Sequence, residues 1–193
     1  NTIDEIWTNR KSDFLVLLDN DFFGQPDWEV KSKQIIEGKY KVCFSQGINI
    51  RLITDEVAET LPSIKYYAKD FKTRRLYTAW DNLGDEKIFL RGVDKLLKND
   101  IPPSHITVYM LIGYKKNETM DDIMYRLNIL NDLGCFPYPM VYNNENKELK
   151  KFQKWVIRRF YKFSDWNDFE SKRTRSSYRY KNDPQEEILF AGQ

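Results

Sequence analysis

Apolar runs recur along the chain about every thirty residues, and this period constrains the fold more than any other feature. The runs are FLVLLD (Phe14 to Asp19), KVCFSQG (Lys41 to Gly47), RLYTAWD (Arg75 to Asp81), HITVYMLIG (His105 to Gly113) and CFPYPMVYN (Cys135 to Asn143). An unbroken apolar run such as Phe14 to Leu18 reads as a strand buried on both faces, the kind found in parallel sheets covered by helices. Helical spacing fills the intervals. Ile88, Val93, Leu96 and Leu97 share one face, and Ile123, Leu127 and Leu130 share another. Thr119 with Asp122 resembles a capping box, and Gly134 stands where a glycine ends that helix. A last amphipathic helix is expected through Leu149, Phe152, Trp155, Val156, Phe160 and Phe163.

Strands alternating with helices at this period predict an α/β protein with a parallel sheet. A doubly wound open sheet and a (β/α) barrel both satisfy the pattern. The first strand is followed by DNDFFGQP and not by a Gly-rich phosphate loop, which favours the barrel class. The expected architecture is a partial TIM-like (β/α) barrel of about five consecutive βα units over residues 1–165. Residues 166–193 form a C-terminal basic tail or extension. Within it, SKRTRSSYRYKN (171–182) reads as a solvated connector, or as an arm whose cations and tyrosines suit RNA backbone and bases.

Composition narrows the partners. A 41% hydrophobic fraction with 15% aromatics is that of a globular chain, and a net charge of +2 names no polyanionic partner. No run is long enough to span a bilayer, and no secretory signal pattern opens the chain. Cys43 and Cys135 lie far apart in apolar stretches and read as buried thiols of a cytoplasmic protein.

The strand ends carry the chemistry. In parallel βα folds, the loops at the C-terminal ends of strands converge over the sheet. Here those ends supply Asp19, Asn20 and Asp21; then Ser45, Gln46, Asn49 and Arg51; then Trp80, Asp81 and Asn82; then Gly113 and Tyr114; then Tyr142, Asn143 and Asn144. One polar end is ordinary turn chemistry, whereas five in register suit a pocket for a polar ligand. Asp19 and Asp21 suit an ammonium or ribose hydroxyls; a Mg²⁺ site from Asp19, Asp21 and Asp81 is an alternative. His105 is the only histidine and begins a strand, so it is expected to be structural.

The succession DNDF, KVCFSQGINIRLITDEVA, RLYTAWDN, VYMLIGYKKNETMDD and PYPMVYN resembles strands two to six of the radical S-adenosylmethionine (SAM) enzymes. LIGYKKNETMDD is the most specific piece, being similar to that family's Gly-rich strand-five motif and Glu-Thr helix start. The resemblance covers about Asp13 to Phe163 and implies SAM lying across the barrel mouth. It implies that Asn20 and Asp21 stand near the methionine amino group. Gln46, Asn49 and Arg51 then contact the ribose or the methionine carboxylate, and Asp81 meets the ribose hydroxyls or substrate. Ile112 and Gly113 let the backbone approach the adenine, and Tyr142 and Asn143 close the far side.

One departure from the family is large. The CxxxCxxC loop that holds its [4Fe–4S] cluster is absent, as is the strand that carries it. The expectation is the C-terminal part of a longer barrel, inactive alone, with the cluster only in the parent and an unknown substrate. Without a first strand, the edge at Phe14–Leu18 is open and predicts a homo-oligomer. The alternative function is a non-catalytic βα module that binds nucleotide or RNA.

Overall fold

The five apolar runs do form parallel strands, which with a sixth, short strand make two three-stranded sheets among the described residues. In the computed structural model, residues 2–7 and 12–169 are described. Strands β1 (Phe14–Leu17), β2 (Lys41–Phe44) and β3 (Lys65–Tyr66) pair in that order. Strands β4 (Leu76–Ala79), β5 (Ile106–Ile112) and β6 (Phe136–Val141) pair likewise. Every pairing is parallel, and every neighbour in a sheet is the neighbour in sequence. The molecule is thus α/β with parallel sheets, and neither sheet closes into a barrel.

Helix α1 (Ile3–Ile6) precedes the strands, α2 (Trp28–Glu37), α3 (Asp55–Thr60), α4 (Glu86–Lys98) and α5 (Met120–Asp132) lie between them, with none between β3 and β4, and α6 (Lys147–Ile157) follows β6. They cover one face of the sheets. In β5, Ile106, Val108, Met110 and Ile112 alternate onto that face with no exposure, against Phe89 and Val93 of α4 and Ile123, Leu127 and Leu130 of α5 in one continuous core. Each such side chain contributes about 1.5–3 kcal/mol of apolar burial. Tyr77 of β4, Tyr109 of β5, and Phe136 and Tyr138 of β6 point to an inner face, where they are half-buried.

Several features differ from the sequence expectation. The run at Phe14–Leu18, expected to be buried on both faces, buries only Leu15 fully and leaves Phe14, Val16 and Leu18 exposed, because no helix covers that side of β1 among the described residues. Strand β3 was not expected, because two residues carry no pattern. It pairs with only the first half of β2, Lys41↔Lys65 and Val42↔Tyr66. Beyond β2, Gly47 adopts φ +85°, and a Cβ there would lie 2.8 Å from Tyr77 O. That close approach lets Ile48 N donate to Tyr77 O at 2.7 Å, so the chain leaving β2 bridges the two sheets. The last helix, expected through Phe163, stops at Ile157, because Arg159 takes a left-handed φ of 58° and breaks the ladder. Phe160–Lys162 continues as a 3₁₀ turn.

Other readings agree with the structure. Thr119 and Asp122 make the reciprocal capping box of α5, and Gly134 has φ +75° after it. His105 ends a 3₁₀ turn before β5, where its Nδ1 pairs with Tyr66 Oη at 2.8 Å. Burial and the nearby Arg74 and Arg75 charges hold its imidazole below the usual range. Among the described residues no helix is long and apolar enough to cross a membrane. The basic segment 171–182 lies outside the described residues.

Candidate functional site

The loop after β2 is built to present polar groups beside β4. Ile50 anchors a 3₁₀ turn (Ile50–Leu52) in the core, which turns Asn49 and Arg51 outward. Helix α4 seats on that turn at Gly92, where a Cβ would lie 2.2 Å from Ile50 O. Any side chain at Gly92 pushes the turn away from the helix. Asn49 Oδ1 accepts from Arg51 N and Nε, both at 3.3 Å, and Asn49 Nδ2 donates to Asp21 Oδ2 at 3.4 Å. A carboxylate, an amide and a guanidinium therefore form one chain of contacts across the ends of β1 and β2.

Asn20, Gln46, Asn49, Arg51 and Asp81 line a single cavity of about 240 Å³, with Trp80 and Phe89 among its walls. The two rings stack at 4.8 Å and give it an apolar back. Asp81 Oδ1 accepts Leu111 N at 2.8 Å, which fixes the carboxylate at the boundary with a smaller cavity toward Tyr114 and Lys115. Asp21 lies at the edge, its Oδ1 closing a turn by accepting Gly24 N at 3.2 Å.

The remaining expected residues fall elsewhere. The Ile112 side chain is fully buried toward the helices, so only its backbone is available. Gly113 takes φ +75°, and its N–H donates to Glu118 Oε2 at 2.6 Å. Tyr142 is exposed and meets Tyr114 edge-on at 5.0 Å, and Asn143 Oδ1 caps its own turn through Glu145 N. Neither Tyr142 nor Asn143 lines the cavity.

The Mg²⁺ alternative does not assemble. Asp19 accepts from Gln25 Nε2 at 2.7 Å, Asp21 and Asp81 hold backbone N–H groups, and among the described residues no trio of His, Cys, Asp or Glu could hold a metal. The cysteines do not fit an iron–sulfur cluster either. Cys43 and Cys135 are buried free thiols on separate strand segments. Burial raises both, Cys135 to about 12, which is the opposite of what a thiolate ligand needs.

The sequence reading missed Arg126. Its guanidinium is wholly buried and donates to Trp80 O at 2.8 Å, Leu111 O at 3.2 Å and Glu118 Oε1 at 2.5 Å. It thereby ties the ends of β4 and β5 beside Asp81. The one signal was an arginine set among Ile123, Leu127 and Leu130 on the apolar face of α5.

Comparison with protein-family models, with curated proteins and with solved structures finds no match to this chain. The functional reading rests on the site itself.

Proposed function

We propose that the chain is the cofactor-binding part of a radical-SAM-type partial barrel, with the strand-end cavity receiving the ribose and methionine portions of SAM. The observation that carries it is the convergence of Asn20, Gln46, Asn49, Arg51 and Asp81 from the ends of three strands on one cavity. Side chains in and beside that cavity suit the polar groups of that half of SAM. Arg51 offers a bidentate fork to the carboxylate, Asn20 in the wall and Asp21 outside the lining, joined to it through Asn49, offer oxygens to the ammonium, and Asp81 keeps one carboxylate oxygen for the ribose diol. The sequential parallel order of each sheet supports a barrel segment, since a doubly wound sheet reverses its order.

A bound SAM supplies the radical precursor in such a barrel. Because Cys43 and Cys135 do not fit a cluster, this chain contributes binding and orientation only. The reading places the cluster ligands in residues outside this sequence.

Calorimetry tests the assignment. SAM binds, and decarboxylated SAM, which lacks the carboxylate, binds about tenfold more weakly. Arg51→Ala brings SAM down to the level of the decarboxylated analogue and leaves that analogue unchanged. Equal binding of the two ligands, or binding of neither, overturns the reading.

A further inference from the structure

A second and larger cavity, about 740 Å³, opens on the inner face of the second sheet. It lies within the size range of small-molecule sites, roughly 300–1,000 Å³. Successive strands line it with aromatic rings: Tyr77 on β4, Tyr109 on β5, and Phe136 and Tyr138 on β6. Tyr77 and Tyr109 stack with an interplanar angle of 8°, and Tyr138 meets Tyr109 edge-on at 5.4 Å. These walls favour a flat ligand.

Among the described residues, charge at the cavity is mostly positive: Lys69, Arg75 and Arg159 line it together with one acid, Asp70. Asp70 is occupied by its own turn, accepting from Lys72 N, Thr73 N and Thr73 Oγ1 at 2.8–3.0 Å. The Arg75 and Arg159 guanidiniums lie over the Phe136 ring at 4.4 and 4.6 Å, which places two cations against the apolar wall. Burial raises the phenols of Tyr77 and Tyr109, the latter to about 12, so both remain neutral O–H donors at physiological pH.

We infer that this inner cavity binds a flat aromatic anion, its ring against the wall of tyrosines and its acid group at Arg75 and Lys69. Gln46 and Tyr109 line both cavities, so the anion sits directly beside the strand-end site. The inference goes beyond the SAM reading and does not depend on it.

The test uses three naphthalene probes in ligand-observed NMR titrations of the whole chain: 2-naphthoate, neutral 2-naphthol and the 2-naphthyl-trimethylammonium cation. The acid binds, and the cation binds at least about tenfold more weakly. Arg75→Gln weakens 2-naphthoate about tenfold and Lys69→Gln about threefold, and neither changes 2-naphthol. Tyr138→Ala weakens both the acid and the naphthol. Lys69 is exposed, so its variant keeps the charge arm readable if Arg75→Gln fails to fold, which circular dichroism reports. No binding at millimolar probe, equal binding of acid and cation, or an affinity unmoved by all three variants overturns the proposal. The last result places the probe elsewhere, such as the exposed Phe14 and Val16 side chains.

Discussion

Arg126 shows how one residue sets the strand ends. Its side chain is 1% exposed and its ion-pair partner Glu118 is 9% exposed, so neither charge is solvated. Removing one member of such a pair strands the other and costs about 3–5 kcal/mol. Arg126 also satisfies Trp80 O and Leu111 O, the carbonyls that flank Asp81 and its backbone donor. Arg126→Met is therefore expected to lower the unfolding free energy by about 3–5 kcal/mol in urea titrations. A loss below about 1 kcal/mol contradicts a desolvated pair. The residue was not readable as functional, because a single arginine among apolar neighbours also describes a solvated helix flank. Arg51 and Asp81 were readable, since Asp81 closes the run RLYTAWD and Arg51 stands in the polar segment that follows KVCFSQG. What their positions did not show was that Asn49 joins Arg51 to Asp21.

At the scale of elements, the two sheet edges are treated differently. On β6, Tyr142 N donates to Ile112 O, so by alternation positions 137 and 139 face the free edge. Both are prolines and present no N–H there. Strand β1 has no such protection. Among the described residues it pairs only with β2, and Phe14, Val16 and Leu18 are 47%, 43% and 73% exposed. An open apolar edge recruits another strand. The chain is expected to self-associate through β1, and Val16→Lys to shift it toward monomer in light scattering. A wild-type chain that stays monomeric at high concentration contradicts this. The β1 and β5 runs were legible as strands because unbroken hydrophobicity has few other uses, but it did not show that β1 is exposed on one face. Strand β3 and the end of α6 were not: one is too short to show a period, and the other ends through the backbone angle of Arg159.

For the whole molecule, period and polar strand ends gave the α/β class and brought five of the ten expected contact residues to one cavity. The inner aromatic cavity was hidden because its tyrosines sit in the middle of strands, where alternation alone does not separate an open inner face from a packed one. The two cavities meet at Gln46 and Tyr109, which suits a cofactor at the strand ends and an organic partner deeper in the sheet. Central to the account is the ligand at the strand-end cavity. Hydrogen–deuterium exchange in the presence and absence of SAM locates the ligand without any substitution. The account predicts slowed exchange at residues 46–52 and 80–82, with α2 unchanged. Slowing confined to other segments, or none at saturating SAM, contradicts it.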